Sequence, residues 1–246
     1  MAFPRIFTYK IQKRSIAMLI AILFLLTYFP VVAQPEKANK YGLQIVETRK
    51  DLKKIVAKDS TMEMLDIKKL IPSIQLDLKY CGTDNFMKQR LYPAGLTSTY
   101  LRKPAAMALQ KVQQALNAKG MGLKIWDAYR PYSVTEKMWE PVKDDRYAAD
   151  PKFGSGHNRG IAVDLTIIDL ATGKELDMGT GFDHFSDTAH SNFKSLPQNI
   201  LTNRNLLRSL MEQNGFKVLD TEWWHFYLPD SKKYALMNIS FKQLKN

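Results

Sequence analysis

Apolar residues recur at helical spacing in one long stretch of the chain, between residues 103 and 118. The positions that share a face are Ala106, Leu109, Val112 and Leu116. Gly120 follows at the place where a helix C-terminus favours glycine. The pattern predicts a helix that packs on a core. A further helix is predicted around residues 203–214, ending at Gly215.

Residues 161–168 form a run of branched apolar residues that predicts a central strand. Period-two alternation places Ala162, Asp164 and Thr166 on one face of that strand. Asp164 is therefore a carboxylate inside a predicted core strand. Such a group must be paired with another group or bind a metal.

Shorter patterns predict the remaining elements. Residues 74–78 and 123–126 read as strands, and FKVLD (216–220) and WWHFYL (223–228) read as a closing pair of strands. The tetrapeptide that begins at Ser133, S-V-T-E, has the form of a capping box and predicts the start of a short helix. Helices and short strands are mixed along the chain, which favours an α+β fold. We expect a small, mostly antiparallel sheet that carries the functional site, with helices packed on one side.

The N-terminus has the order of a secretory signal. Four basic residues precede an uncharged apolar run over residues 16–29, and Val31 and Ala33 supply small residues for cleavage. A signal peptide over residues 1–33 is therefore predicted, with export to the periplasm. An uncleaved membrane anchor is the alternative, although the apolar run is shorter than the ~20 residues that span a bilayer.

Residues 34–61 are polar and rich in lysine without a clear period, so they are interpreted as a leader or linker. A single domain over residues 62–246 follows. Loss of residues 1–33 would remove four basic groups and lower the formal charge from +12 to +8. The chain has no stripe of interleaved basic and aromatic residues, so no nucleic-acid partner is expected and the charge favours solubility. No stable membrane partner is expected after signal cleavage.

Few residues of the mature chain suit metal chemistry. Cys81 is the single cysteine, which excludes an intrachain disulfide and zinc sites built on several cysteines. A catalytic zinc usually takes three protein ligands, and His157 and Asp164 can supply two. The third can come from His184, His190 or His225. His225 has the best setting, because an imidazole among aromatic residues of a strand needs a partner. One Zn²⁺ per chain is predicted.

Glu222, three residues before His225, is the candidate general base for hydrolysis. Strict strand alternation places Glu222 and His225 on opposite faces. The two side chains share a site only if Glu222 belongs to the preceding turn, which Asp220 and Thr221 make plausible.

Several segments together resemble the D-alanyl-D-alanine dipeptidases. SGHNRGIAVD matches that family's S-x-H-x-x-G-x-A-x-D pattern, and EWWH matches its E-x-x-H motif. Segments similar to those of the family follow in family order across residues 62–246: LDLKYCGTDNF, WDAYRP, MGTGFDHFSDTAH and NRNLLRSLMEQNGF.

The resemblance implies a role for each matching residue. The implied zinc ligands are His157, Asp164 and His225, with Glu222 as the proton acceptor and donor. Arg130 is similar to the arginine that stabilises the transition state, a role that suits a guanidinium facing an oxyanion. Asp183 resembles the carboxylate that binds the substrate's ammonium group. Ser155 and Tyr80 fall at positions that the family places near the substrate.

The resemblance implies a zinc metallopeptidase that hydrolyses the dipeptide D-alanyl-D-alanine to two D-alanines, with zinc activating the water and Glu222 as base. A D,D-carboxypeptidase that trims terminal D-alanine from cell-wall peptides is the first alternative, because it shares the S-x-H-x-x-G-x-A-x-D pattern and export makes wall peptides accessible. A non-catalytic binding module that keeps the zinc fold is the second. Such a module would be expected to lack the base, whereas Glu222 is present.

Overall fold

The computed structural model describes Met1 and residues 38–245. The predicted signal peptide, apart from Met1, lies outside these residues. The strands are β1 (Ile45–Val46), β2 (Met64–Asp66), β3 (Gln75–Leu76), β4 (Tyr100–Arg102), β5 (Met121–Asp127), β6 (Ala162–Asp169), β7 (Lys217–Leu219), β8 (Glu222–Tyr227) and β9 (Leu236–Met237). The helices of at least four residues are α1 (Arg49–Lys58), α2 (Ile67–Leu70), α3 (Lys103–Asn117), α4 (Tyr132–Val142), α5 (Gly156–Arg159), α6 (Gln198–Gln213) and α7 (Phe241–Lys245). Within the described part of the chain, no helix combines the length and hydropathy of a membrane span.

A five-stranded sheet forms the centre of the molecule, with the strand order β3-β5-β6-β8-β7. Only the pair β3 and β5 is parallel, and the other neighbours in this sheet are antiparallel. The predicted small and mostly antiparallel sheet is thus confirmed. The closing strands predicted from FKVLD and WWHFYL are β7 and β8, which pair with each other as expected.

The two long helices cover one face of this sheet. Apolar residues of α3 and α6, including Leu109 and Leu207, join one buried cluster with Val163, Leu165 and Ile167 of β6. Because side chains alternate along a strand, Asp164 and Thr166 lie on the opposite face. Helices and functional groups therefore use different faces of β6, and the predicted α+β fold class is confirmed.

Residues 38–61, interpreted from the sequence as a leader or linker, carry elements that pack on the domain. Strand β1 pairs in parallel with β9, and Leu52 of α1 is buried in a cluster that also holds Val46 and Phe241. Lysines surround the apolar face of α1 and conceal its period in the sequence. The limits of the predicted domain, 62–246, remain a prediction.

The capping box predicted at Ser133 does not form. Helix α4 begins at Tyr132 after Pro131, and no side chain in the described part of the chain caps its first turn. The proline presets the backbone dihedral that a first turn requires, so the helix starts two residues earlier than a capping box at Ser133 predicts. Ser133 is then already inside the helix, and its backbone N–H donates to the Asn238 side chain.

Arg102, at the end of β4, holds the N-terminal and C-terminal parts of the domain together. Its side chain is 0% exposed and has no carboxylate partner among the described residues. The guanidinium instead donates to the carbonyl oxygens of Met62, Arg159 and Ala235. Burial lowers the pKa of Arg102 to about 10. Three chain segments that are distant in sequence therefore share one buried cation.

Replacing Arg102 by methionine should lower the free energy of unfolding by about 3 kcal/mol or more, because several buried carbonyls lose their donor at once. Urea denaturation measures the change. Arg208→Met is the matched control. Among the described residues, Arg208 forms its ion pair with Glu212 on the exposed side of α6, so this substitution should cost less than about 1 kcal/mol. Equal losses in the two variants would contradict the role assigned to Arg102.

Candidate active site

Two short-range features place His157 and Asp164 side by side. The Ser155 hydroxyl accepts a hydrogen bond from the backbone N–H of Asn158, which caps the single turn of α5 that carries His157. Gly160 ends that turn with a φ of 71°, a left-handed conformation that favours glycine. Strand β6 begins two residues later, at Ala162. The seven-residue spacing thus connects a capped turn to the adjoining strand.

Sheet pairing brings the third group to the same place. Asp164 of β6 lies directly opposite His225 of β8 in the antiparallel register. Directly opposed residues of neighbouring strands have side chains in contact. Of the three histidines considered for the third position, His225 is the one that joins His157 and Asp164.

The three donor groups have the spacing of a metal site. His157 Nε2 lies 3.2 Å from His225 Nδ1 and 3.3 Å from Asp164 Oδ2. His225 Nδ1 lies 2.8 Å from Asp164 Oδ1. Nitrogen and oxygen ligands about 2.0 Å from a shared zinc at tetrahedral angles lie about 3.3 Å from one another. Imidazole and carboxylate are also the ligand types of catalytic zinc, so these residues fit a zinc ion.

Hydrogen bonds orient the histidine ligands. His157 is 3% exposed, and its Nδ1 donates to the carbonyl oxygen of Ala128 at 2.7 Å. This bond selects the tautomer in which the lone pair on Nε2 faces the cluster.

Burial alone would raise the pKa of Asp164, but the facing imidazoles of His157 and His225 lower it below its ordinary range. The carboxylate is therefore ionised and available as a ligand.

A β-bulge brings Glu222 beside His225. Val218 of β7 pairs with Phe226, but the next residue, Leu219, pairs with Glu222, so the register shifts. Glu222 is the first residue of β8, and its Oε2 lies 3.7 Å from His225 Nδ1. Strand alternation predicted a shared site only if Glu222 lay in the preceding turn. The bulge instead breaks the alternation inside the strand pair.

Arg130 enters the site from the loop after β5. Its Nε and Nη2 donate to Asp127 Oδ2 at 3.0 and 2.7 Å. Burial alone would lower the pKa of Arg130, but the Asp127 carboxylate raises it well above its ordinary value. The guanidinium is therefore a permanent cation beside the ligand cluster. It lines the same cavity, of about 500 Å³, as His157, Asp164 and Glu222.

A profile of the D-ala-D-ala dipeptidase family, peptidase M15, matches residues 60–243. The chain belongs to this family. It is 36% identical to the D-alanyl-D-alanine dipeptidase of Escherichia coli strain K12, over 74% of this chain and 92% of the relative. The enzyme of the same name from Streptomyces coelicolor is 31% identical, over 67% and 90%. A third, from Enterococcus faecalis, is 29% identical, over 68% and 91%. The chain is thus an enzyme of a metallopeptidase family.

The remaining predicted site residues of this family member also line the large cavity. Asp183, Tyr80 and Ser155 all border it. The Tyr80 hydroxyl donates to Asp183 Oδ2 at 3.0 Å, and the backbone of Asp183 has a φ of 55°. A positive φ is uncommon for a residue other than glycine and marks a conformation held by its surroundings. Burial and the nearby carboxylates of Asp164 and Glu222 raise the pKa of Asp183 well above its ordinary range.

His184 and His190 lie outside the metal cluster. Both line a neighbouring cavity of about 230 Å³, together with Phe185 and Asp187. From the sequence, both histidines were possible third ligands. The structure instead places them in this neighbouring cavity, which Glu222 also lines.

Asp127 is a residue of the site that was not among those predicted from the sequence. It is 0% exposed, and its Oδ1 accepts hydrogen bonds from the Tyr92 hydroxyl and from the backbone N–H of Ala128. A charged residue at the end of the apolar strand β5, three residues before Arg130, was the signal for it. Asp127 positions Arg130 and lies 3.8 Å from His157 Nδ1.

Asp127→Asn should lower kcat by about 10- to 100-fold with a smaller change in KM, because a neutral amide does not hold the guanidinium by charge-assisted bonds. Steady-state kinetics with dipeptide measure the effect. Asp169→Asn is the control. Asp169 is the last residue of β6 and accepts a hydrogen bond from the backbone N–H of Thr172, so this variant should leave kcat and KM unchanged. Asp127→Glu should recover part of the rate. Asp127→Asn protein with wild-type kcat would show that Arg130 does not need a charged partner.

Proposed function

We propose that the chain hydrolyses the dipeptide D-alanyl-D-alanine to two D-alanines with one zinc ion per chain. The observation that carries this proposal is the convergence of His157, Asp164 and His225 on one centre, with Glu222 and Arg130 beside it. The relatives named as D-alanyl-D-alanine dipeptidases support the choice of substrate, because the similarity extends over about nine-tenths of their length.

His157 Nε2, His225 Nδ1 and an oxygen of Asp164 would hold the zinc. When bound, zinc would supply Lewis acidity that polarises the peptide carbonyl and lowers the pKa of the attacking water. The other steps belong to side chains of the protein.

Glu222 handles the proton. Burial raises the pKa of Glu222 to about 7. A carboxylate with such a pKa is able both to accept and to release a proton near neutral pH. Glu222 takes one proton from the water whose oxygen bonds to the carbonyl carbon. It then delivers that proton to the peptide nitrogen as the C–N bond breaks, which leaves a carboxylate on one alanine and an amine on the other.

Arg130 stabilises the negative charge that develops on the carbonyl oxygen. Its guanidinium is already charged and held by Asp127, so little reorganisation is needed when that charge appears. The positive charge of Arg130 also offsets the negative charge of the carboxylates that line the cavity. Its contribution is therefore largest in the transition state.

Asp183 binds the free ammonium group of the dipeptide. The carboxylate accepts a hydrogen bond from the Tyr80 hydroxyl and borders the cavity. A nearby cation would offset the repulsion that Asp183 experiences from Asp164 and Glu222. Ser155 lies at the wall of the same cavity as a further polar group for the substrate. A requirement for free ammonium favours a dipeptide over a wall peptide.

We also propose that residues 1–33 act as a signal peptide and that the enzyme works in the periplasm. The proposal rests on the charged, apolar and small-residue order of the N-terminus. The family match over residues 60–243 supports our further proposal that residues 62–246 form the catalytic domain. Fractionation of cells followed by N-terminal sequencing of the purified protein tests the signal peptide and the periplasmic location. An intact Met1 in the membrane fraction would contradict both.

Offering the zinc-loaded protein both D-alanyl-D-alanine and a pentapeptide that ends in D-alanyl-D-alanine tests the proposed reaction. We expect kcat/KM for the dipeptide to exceed that for the pentapeptide by at least about 100-fold, because an internal amide leaves Asp183 without its cation. Release of D-alanine from the pentapeptide alone would make the chain a D,D-carboxypeptidase instead.

A further inference from the structure

Asn158 is a buried amide next to the metal ligand His157, and the proposed reaction does not use it. The residue is 0% exposed. Its Nδ2 donates to the carbonyl oxygen of Arg130 at 2.9 Å and to the Thr135 hydroxyl at 2.8 Å. Its Oδ1 accepts from the backbone N–H of Ser155 at 3.0 Å. Both N–H bonds of the amide and its oxygen are thus satisfied inside the protein.

The partners of Asn158 fix the orientation of its amide. A carbonyl oxygen only accepts hydrogen bonds, so the NH₂ group must face Arg130. A backbone N–H only donates, so the amide oxygen must face Ser155. The same amide therefore completes the cap of α5 and also reaches the loop that follows β5.

Three hydrogen bonds connect the loop of residues 128–130 to the turn that carries His157. The His157 ring donates to the carbonyl oxygen of Ala128, and the His157 carbonyl oxygen accepts from the backbone N–H of Arg130 at 3.2 Å. The third is the bond from Asn158 to the carbonyl oxygen of Arg130. Of these three bonds, only the third can be removed by a substitution that leaves the metal ligands unchanged.

Arg130 is consequently held at both of its ends. Asp127 binds the guanidinium, whereas His157 and Asn158 bind the main chain. Arginine has a long side chain with many rotamers, so a fixed position for its charge requires a fixed backbone as well as a bound guanidinium. A displacement of about 1 Å is enough to impair catalysis strongly when a group must meet the reacting atoms.

We infer that Asn158 is a positioning residue for the reaction: it fixes the Arg130 loop to the turn that carries His157, so that the guanidinium keeps its place beside the metal site. This inference rests on the proposed function, in which Arg130 stabilises the oxyanion. Asn158 does not line the cavity, so it acts through Arg130. Because the charge of Arg130 contributes most in the transition state, the loss of Asn158 should lower kcat and leave KM nearly unchanged.

Asn158→Ala should lower kcat for D-alanyl-D-alanine by at least about tenfold, with KM changed by less than about threefold. Assays at saturating zinc keep metal affinity out of the comparison. Asn158→Asp is the second variant, because it keeps the size of the side chain and the acceptor for the Ser155 N–H. It places an oxygen against the Arg130 carbonyl instead of a donor, so it should lose at least as much kcat as Asn158→Ala.

A double variant separates positioning from a general structural role. In Arg130→Ala protein the guanidinium is absent, so adding Asn158→Ala should lower kcat by less than about a further twofold. A residue that only stabilised the fold would cause the same loss in both backgrounds. Gln113→Ala is the matched control and should keep wild-type kcat. Gln113 is 1% exposed, and its Oε1 accepts from the backbone N–H of Leu123 where α3 contacts β5.

Hydrogen exchange at the Arg130 Nε–H, followed by NMR on zinc-loaded protein, gives a readout that does not need turnover. The resonance is assigned by its absence from the spectrum of Arg130→Lys protein. Asn158→Ala should raise the exchange rate by at least about tenfold, because a less constrained loop opens the bond to Asp127 more often. Gln113→Ala should change the rate by less than about twofold.

The outcomes separate the inference from the proposed function. Wild-type protein that cleaves the dipeptide, with Asn158 variants that keep wild-type kcat, would overturn the inference alone. An equal loss of kcat in the Arg130→Ala background would also overturn it, because Asn158 would then act independently of the guanidinium. Zinc-loaded wild-type protein that does not cleave the dipeptide would overturn the proposed function, and the exchange comparison would still decide whether Asn158 positions Arg130.

Discussion

Glu222→Gln should lower kcat for D-alanyl-D-alanine by about 10³-fold while KM changes by less than about fivefold. Glutamine has nearly the same shape, but its amide does not accept a proton from the attacking water. The substrate would still meet Asp183 and Arg130, so binding in the ground state is retained. Steady-state assays of D-alanine release measure both constants.

The interpretation of Glu222→Gln depends on an intact metal site. Zinc content should remain at one per chain, because the three assigned ligands are unchanged. Glu212→Gln, on the exposed side of α6 where Glu212 pairs with Arg208, is the matched control and should keep the wild-type rate. A Glu222→Gln protein that retains more than about a tenth of wild-type kcat would assign the proton transfer to another group.

His157→Ala should weaken zinc binding by at least about 10³-fold and reduce dipeptide hydrolysis in proportion, because each of three ligands supplies a large share of the binding free energy. His157 is buried, and its bond to Ala128 fixes the ring before the metal arrives. Elemental analysis after dialysis gives the zinc content, and competition with a chelator gives the affinity.

His184→Ala is the control for His157→Ala. From the sequence, His184 was a possible third ligand, whereas the structure places it in the neighbouring cavity of about 230 Å³. The control variant should bind one zinc per chain with wild-type affinity. Loss of zinc from the His184 variant, with retention by the His157 variant, would contradict the assigned ligand set.

Local patterns predicted the parts of the site that depend on short stretches of chain. The apolar run after His157 indicated strand β6, and alternation within it showed that Asp164 needed a partner or a metal. Helical spacing likewise indicated α3, which covers the other face of the sheet. These features need only the period of a strand or a helix.

Local periodicity did not predict the features that depend on pairing between distant segments. Periodicity does not specify that Asp164 lies opposite His225, and that register is what selects His225 over the other histidines. The bulge that turns Glu222 toward His225 was missed for the same reason. The setting of His225 among aromatic residues and the position of Glu222 three residues before it made both residues candidates, and the resemblance to a family then implied their roles. Asp127 lay within a matching segment, but its role depends on the turn that brings Arg130 back to it.

The elements within residues 38–61 were not predicted for a different reason. Lysines dominate the composition of α1 and conceal the spacing of its apolar residues, Leu52, Ile55 and Val56. The helix is stabilised by packing against a core that forms from the other end of the chain, including Phe241. Such tertiary stabilisation overrides a weak local pattern.

The central claim is that His157, Asp164 and His225 bind one zinc ion together. A crystal structure of the zinc-loaded protein, with anomalous scattering measured on both sides of the zinc absorption edge, tests it most directly. We predict a single peak per chain within about 2.0–2.2 Å of His157 Nε2, His225 Nδ1 and an Asp164 oxygen. A peak at other residues, or no peak here from protein saturated with zinc, would contradict the account.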